Sequence, residues 1–472
     1  WLAKNEAAAK ARPAYDVAML GRLPHRGWMA PPASADARPV FPKNSRRDLP
    51  PPASLAFIAC GLLSTLCQLI STPPPAREAG AATGPSAMLL QDAMRLLPVL
   101  LAAALCAAAQ HQPFPVHDVR AAIVSGPYLL APTETSVTVV WRTDVPAHAK
   151  VVYGRGGALD QTAEPHEHGL KPVGTLHAVR IEGLEPGATY RYQAVSTPVV
   201  KMKSYWPEKG QETSSPVYSF TPFDRRKQSF TFYAITDTHA DLARIAGLVK
   251  LIDWNEADFL VHLGDAFDAE DEELIWTRWL DPLGAALGHS KPLLWIRGNH
   301  EARGAAARAL PRHFPPPGGR YYYARDHGAV HFMLLDTGED KPDDTNVYAR
   351  LNAFAAYKRE QFAWWRDHVR AAPRVREAPF RIMFMHAPDW GWNPGGGAEW
   401  TALARAAGVD LSLSGHTHRF AYTPPGAEDR GWHRLVLAPA QTARVAVTPD
   451  RIEVRVLGAE GEAARFTVPR RR

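Results

Sequence analysis

Five apolar segments between residues 228 and 420 are each followed, at once or after a glycine, by an aspartate, asparagine or histidine. They are SFTFYAIT before Asp237 and His239, DFLVHL before Asp265, PLLWIR before Asn299 and His300, FRIMFM before His386, and DLSLS before His416 and His418. Short apolar runs of this kind are typical of buried strands, and sites in open α/β sheets lie beyond the carboxyl ends of strands. The pattern therefore predicts an α/β region in which these polar side chains meet.

The residue types at these strand ends favour metal binding. His416 and His418 would share one face of a strand or extended turn, and neutral imidazole is a common metal ligand. The alternative is an ordinary surface loop in a chain with 19 histidines. Seven candidate ligands are Asp237, His239, Asp265, Asn299, His386, His416 and His418. So many donors favour two ions bridged by a carboxylate rather than one ion.

Two further patterns divide the chain. Residues 118–223 read as short strands with turns, such as TSVTVVWRTD, and predict an all-β sandwich with Trp141 in its core. The stretch LEPGATYRY resembles a tyrosine corner built on Tyr190. Residues 228–457 alternate apolar strands with helical spacing, as in DLARIAGLVK and REQFAWWRDHV, and predict the α/β region.

Charge and cysteine content exclude two classes of site. The formal net charge is +6, but residues 1–109 carry +5 of it, so the remainder gives no electrostatic reason to expect nucleic-acid binding. All three cysteines, Cys60, Cys67 and Cys106, precede residue 110. A metal bound by the rest of the chain must therefore be held by nitrogen and oxygen.

An export signal is predicted at residues 94–109. MRLLPVLLAAALCAAA has a basic start, an apolar stretch too short to span a bilayer and small residues before Gln110. We expect a secreted or periplasmic protein without stable membrane insertion, and residues 1–93 to be a disordered upstream segment or a gene-model artefact. SRRDL before the apolar residues 53–70 is the alternative, a twin-arginine signal or an anchor.

The ordered motifs resemble those of the calcineurin-like metallophosphoesterases. D-x-H, G-D-x-x-D, G-N-H-E, a lone His and G-H-T-H follow one another over about residues 230–420. The opening GPYLLAP…TSVTVVWRTD is similar to the N-terminal domain of purple acid phosphatases, which is fibronectin type III-like. The resemblance implies a metallophosphoesterase sandwich, with mixed β-sheets flanked by helices, preceded by that all-β domain.

The resemblance also implies roles for individual residues. Asp237, His239 and His418 would bind the first metal, Asn299, His386 and His416 the second, and Asp265 would bridge them. A metal-bound hydroxide would be the nucleophile. Asn299 and His300 would contact the phosphate, and His300 would protonate the leaving oxygen. The alternative for His300 is a purely structural role. The two ions would be Fe, Mn or Zn.

The chain departs from purple acid phosphatases at two positions. Those enzymes have glycine where this chain has His239 and an iron-binding tyrosine where it has Asp268. We expect Asp268 to orient His300 and raise its pKa, because a carboxylate beside an imidazole favours the protonated ring. Without the tyrosine, we predict no tyrosinate-to-iron charge-transfer band.

The leading functional hypothesis is an exported phosphatase acting on small phosphomonoesters. The alternatives are a phosphodiesterase with the same metal pair and a non-catalytic secreted binding protein. Trp390 and Trp392, in a Gly-rich loop after His386, either stack on an aryl or nucleoside group of the substrate or pack the loop. Neither the oligomeric state nor the physiological substrate follows from the sequence.

Overall fold

The structure, a computed structural model, describes residues 116–427 and 430–471. The predicted signal at residues 94–109, the twin-arginine alternative and the upstream segment lie outside this range. Within it, no helix combines the length and apolar character needed to cross a membrane.

Residues 116–223 form an all-β domain. Its strands are β1 (Val116–Arg120), β2 (Ile123–Leu130), β3 (Val137–Arg155), β4 (Gln161–Ala163), β5 (Gly174–Ile181), β6 (Tyr190–Lys201), β7 (Glu208–Gln211), β8 (Thr213–Ser214) and β9 (Tyr218–Phe220). β3 is long enough to pair with β5 along its first half and with β6 along its second half. The alternating pattern that predicted short strands thus becomes a domain organised around β3.

Two side chains of this domain behave as predicted. Trp141 is fully buried, and its indole N–H donates to Ser196 Oγ at 2.9 Å. Tyr190 Oη accepts from the backbone N–H of Glu185 at 2.9 Å, which is the contact of a tyrosine corner. Each polar atom of these buried aromatic residues has a partner, so the domain buries them without an unsatisfied group.

Residues 230–469 form the α/β region. Its strands are β10 (Phe230–Ile235), β11 (Ala257–His262), β12 (Leu293–Trp295), β13 (Tyr323–His327), β14 (Val330–Leu334), β15 (Phe380–Phe384), β16 (Leu411–Ser414), β17 (Ala421–Thr423), β18 (His433–Val436), β19 (Thr442–Val447), β20 (Arg451–Gly458) and β21 (Gly461–Pro469). Its helices are α1 (Leu242–Val249), α2 (Glu272–Ile275), α3 (Asp281–Leu287), α4 (Leu310–His313), α5 (Phe354–Ala371), α6 (Pro373–Glu377) and α7 (Ala398–Ala406). A π-helical segment, Trp276–Leu280, joins α2 to α3. The predicted helical segments correspond to α1 and α5, and Asp241 caps α1 by accepting from two backbone N–H groups.

Two sheets pack face to face in this region. One runs β2-β12-β11-β10-β19-β20-β21 and the other β13-β14-β15-β16-β18-β17. Aromatic side chains from both, including Phe232, Phe259, Phe332 and Phe384, fill the space between them. Helices cover the outer faces, with α1 and α3 on the first sheet and α5 and α7 on the second. This is the predicted sandwich of mixed sheets flanked by helices.

Strand pairing extends across both predicted domain limits. Residue 457 lies within β20, and the antiparallel partner β21 extends the first sheet to Pro469. In the other direction, β2 of the all-β domain pairs in parallel with β12 at Leu130 and Leu293. One sheet therefore runs from the all-β domain into the α/β region.

Candidate metal centre

The carboxyl ends of five strands deliver the candidate ligands. Asp237 and His239 follow β10, Asp265 follows β11, Asn299 follows β12, His386 follows β15, and His416 and His418 follow β16. The first three strands belong to one sheet and the last two to the other. The residues therefore meet where the two sheets present their strand ends, as the sequence predicts.

The backbone at these turns is unusual. Five of the seven candidate ligands have a left-handed φ: Asp237 at 50°, His239 at 49°, Asp265 at 52°, His416 at 72° and His418 at 55°. This conformation is uncommon for residues other than glycine, and such strain collects at functional sites. The surrounding contacts must therefore hold the turns in place.

Glycine is required beside two of these turns. A Cβ at Gly298 would lie 2.2 Å from Asp265 Oδ1, and one at Gly415 would lie 2.3 Å from Asp237 Oδ2. Both distances are too short for a side chain. These two glycines let the neighbouring backbone approach the carboxylates.

Asp237, His239 and His418 form what we call the outer group. His418 Nε2 lies 3.2 Å from Asp237 Oδ1 and 3.2 Å from His239 Nε2. Asp237 is buried, whereas 53% of the His418 side chain is exposed. Three donor atoms thus converge at the surface end of the site.

Asp265, His386 and His416 form the inner group. His386 is fully buried, its Nδ1 lies 2.8 Å from the Leu263 carbonyl oxygen, and its Nε2 lies 3.0 Å from Asp265 Oδ2. A hydrogen bond from Nδ1–H to the carbonyl leaves Nε2 as the free ligand atom. Asn299 Oδ1 lies 3.0 Å from His416 Nδ1, which adds the seventh candidate to this group.

Two buried atoms test whether these residues fit metal ions. Asp237 Oδ1 and His386 Nε2 have no hydrogen-bond partner among the described residues, although both face other ligand atoms. Unsatisfied buried polar atoms are costly and call for an explanation. A cation within each group would satisfy them, and imidazole with carboxylate suits Fe, Mn or Zn.

Electrostatics within the groups also favour binding. Burial lowers the pKa of His239 and of His416, which keeps these rings in the neutral form that binds metal. Burial would raise the pKa of Asp265, but the neighbouring His386 imidazole outweighs it and holds the carboxylate ionised. Burial would lower the pKa of His386, but the attraction of Asp265 and the other nearby carboxylates outweighs it and raises that pKa, so a proton and a metal compete for the ring.

His300 stands beside the two groups rather than in them. Its Nδ1 is hydrogen-bonded to Asp268 Oδ1, and this bond raises the pKa of the imidazole. Its Nε2 lies 3.8 Å from Asp265 Oδ2. The structure therefore places the predicted Asp268–His300 pair at the rim of the site, with Nε2 directed at the inner group.

Glu301, the next residue, has a structural role. It is fully buried and accepts backbone N–H bonds from Asp265 at 3.1 Å, Ala266 at 2.6 Å and Gly298 at 2.8 Å. It thereby ties the turn after β11 to the turn after β12.

Of the two alternatives for Trp390, the structure favours packing of the loop over contact with substrate. Only 2% of Trp390 is exposed, and its ring packs against Trp365 and Trp400. Its indole N–H donates to Thr401 Oγ1 at 3.1 Å. Helices α5 and α7 close over the loop and use this ring as core, while Trp392 remains partly exposed.

Sequence reasoning missed one part of the site. Arg303 lies one turn after His300, and its Nη1 is 3.5 Å from His300 Nε2. Glu339 and Asp340 hold its guanidinium from a distant loop. The acidic pair in LLDTGED was a visible signal, but its partner could not be read from spacing.

Comparison with known proteins identifies both folded parts. Residues 230–420 match the family model of calcineurin-like phosphoesterases, and residues 127–222 match that of the purple acid phosphatase N-terminal domain. Purple acid phosphatase 23 of Arabidopsis thaliana is 21% identical over 294 residues, which cover 52% of this chain and 57% of the relative's length. A purple acid phosphatase from yellow lupin (Lupinus luteus) seeds shares the fold at TM-score 0.57 and 14% identity, covering 73% of this chain and 74% of its own.

Proposed function

Because the chain contains a calcineurin-like phosphoesterase domain behind a purple acid phosphatase N-terminal domain, we propose that it is an exported phosphatase. It hydrolyses phosphomonoesters at a dinuclear metal site. The observation that carries this proposal is the pair of unsatisfied buried atoms, Asp237 Oδ1 and His386 Nε2, one in each ligand group.

The two groups would each hold one metal ion, with Asp265 between them. When bound, two such ions supply positive charge to the phosphate and lower the pKa of a water molecule. The protein's own part is to fix the donors. Glu301 holds Asp265 by accepting from its backbone N–H. The backbone N–H of His416 donates to Asp237 Oδ2 at 3.0 Å, which links the turn that carries an inner ligand to the outer group.

His300 would act on the leaving group. With Nδ1–H donated to Asp268, the proton on Nε2 is available to the ester oxygen as its bond to phosphorus breaks. The alcohol then leaves neutral. Asn299 and His300 are the proposed phosphate contacts, and Asp268 orients the imidazole and raises its pKa.

The test is hydrolysis by the purified chain loaded with Mn, Zn or Fe. An aryl phosphomonoester is compared with the matching diester, and Asn299→Ala serves as the control for contaminating phosphatase. We expect faster monoester turnover that the variant loses. Faster diester turnover would favour the phosphodiesterase alternative. Bound metal without turnover of either ester would favour the non-catalytic alternative.

Export is a separate part of the proposal and rests on residues 94–109 alone. The expected result is an exported protein whose mature chain begins at Gln110, measured by N-terminal sequencing. A mature chain that still contains residues 94–109 would contradict cleavage at this site.

A further inference from the structure

Two carboxylates bind the Arg303 guanidinium through Nε and Nη2 but not through Nη1. Nε donates to Glu339 Oε1 at 3.0 Å, and Nη2 donates to Glu339 Oε2 at 2.7 Å and to Asp340 Oδ1 at 2.9 Å. These bonds use three of the five N–H groups of an arginine. The remaining nitrogen, Nη1, faces His300 Nε2 at 3.5 Å.

The carboxylates that fix Arg303 are themselves fixed. Glu339 is fully buried, and its Oε2 also accepts from Tyr348 Oη at 2.6 Å. Asp340 Oδ1 accepts from Lys341 Nζ at 2.7 Å. A guanidinium tied by a bidentate buried carboxylate has little freedom left, so the direction of Nη1 is set before any ligand arrives.

Arg303 Nη1 lies beside His300, one of the proposed phosphate contacts. His300 Nε2, its neighbour, lies 3.8 Å from Asp265 Oδ2 of the inner group. The Arg303 side chain is 29% exposed, so it is only partly covered by the protein. No carboxylate among the described residues bonds to Nη1.

We infer that Arg303 is a phosphate-binding residue of this site, with its Nη1 donating to a phosphoryl oxygen, and that Glu339 is the positioning residue that aims it. The inference rests on the proposed function for its ligand. It adds a fixed cation on the His300 side of the phosphate, where charge builds up as the ester bond breaks.

A purely structural role is the alternative. Arg303 would then only tie the segment after His300 to the loop at Glu339 and Asp340. Loss of such a tie lowers stability but leaves the affinity for a small anion unchanged once the protein is folded. Anion affinity therefore separates the two roles.

The experiment measures binding of inorganic phosphate to the metal-loaded chain by isothermal titration calorimetry, with metal content measured on each sample. The variants are Arg303→Met, Arg303→Lys and Glu339→Gln. Arg308→Met is the matched control, because it removes an arginine whose guanidinium bonds to the Leu351 carbonyl. The control corrects for loss of general positive charge.

We expect Arg303→Met to weaken phosphate binding by about tenfold or more relative to the control, as for loss of a charge-assisted hydrogen bond. Arg303→Lys keeps the positive charge but not the planar guanidinium, so we expect it to lose less phosphate affinity than Arg303→Met. If Arg303→Met is too unstable to purify, Arg303→Lys and Glu339→Gln should still weaken binding. Phosphate affinity within about twofold of wild type in folded, fully metal-loaded Arg303 variants would overturn the inference.

This readout is independent of turnover. Weak phosphate binding by the variants, with no ester hydrolysis by the wild type, would support Arg303 as an anion-binding residue while the proposed function fails. Ester hydrolysis by the wild type, with phosphate affinity unchanged in the Arg303 variants, would support the proposed function and overturn the inference about Arg303.

Discussion

The outer and inner ligand groups contain similar residue types but lie in different surroundings. Half of the His418 side chain is exposed in the outer group, whereas His386 in the inner group is fully buried. In the outer group His239 and His418 contact each other through their rings, and Asp237 accepts from the backbone N–H of His416. The inner ligands are also held by the Leu263 carbonyl and by Asn299, while Glu301 bonds the Asp265 backbone.

The difference indicates two affinities within one site. A rigid, water-poor set of ligands holds its metal more firmly than a set with one exposed arm, because less order must be imposed on binding. We therefore expect the inner ion to be the firmly held one and the outer ion to exchange with solvent.

The largest expected effect comes from His386→Ala. It removes a buried inner ligand and leaves Asp265 without its partner, so we expect loss of the inner ion and a fall in kcat of more than about 100-fold, beyond the usual cost of an outer-shell contact. Metal analysis and kcat check this together. The exposed His166→Ala in the all-β domain is the control. Full metal content in His386→Ala would contradict the expectation that the inner group holds its ion more firmly than the outer group.

His418→Ala is expected to have a smaller effect. It removes the exposed arm of the outer group, so the chain should keep the inner ion and lose the outer one. Raising the metal concentration should restore more activity to this variant than to His386→Ala. Equal metal loss in both variants would mean that the two ions bind as one cooperative unit.

Asp268→Asn should affect turnover more than metal content. The Asp268 hydrogen bond raises the pKa of His300, so its loss lowers that pKa and leaves less protonated imidazole at a given pH. The alkaline limb of the kcat profile should therefore move to lower pH, and kcat should fall by about 10- to 100-fold, within the range of general acid catalysis. An unchanged alkaline limb would argue against His300 as the acid.

The last prediction concerns the absorption spectrum, in which we expect no tyrosinate-to-iron charge-transfer band. The resemblance predicts that Asp268 stands where purple acid phosphatases have an iron-binding tyrosine, and the two ligand groups contain only aspartate, histidine and asparagine. The iron-loaded chain should show no tyrosinate charge-transfer absorption. Such a band would require a tyrosine to reach one of the groups and would contradict the ligand assignment.

The strand ends and the donors after them could be predicted because each depends on local sequence. A short apolar run followed by glycine and a polar residue predicts a buried strand and a turn. The sheet topology then brings the carboxyl ends of these strands, and the polar residues after them, close together. The bond between Glu185 N–H and Tyr190 was equally local.

The features that the sequence did not predict depend on contacts between distant segments of the chain. Arg303 and Glu339 are 36 positions apart, and no motif joins them. The environment of Trp390 is decided by α5 and α7, whose packing the loop sequence does not encode. β21 was left out of the predicted domain because it belongs there only by pairing with β20.

The pairing of β2 with β12 has a consequence for modularity. In a chain that lacks the all-β domain, β12 would become the last strand of its sheet. Its apolar residues Leu293 and Leu294 would then border an edge that has lost its present partner, and unpaired edges can pair with strands of other molecules. We therefore expect the α/β half on its own to self-associate more than the whole chain does.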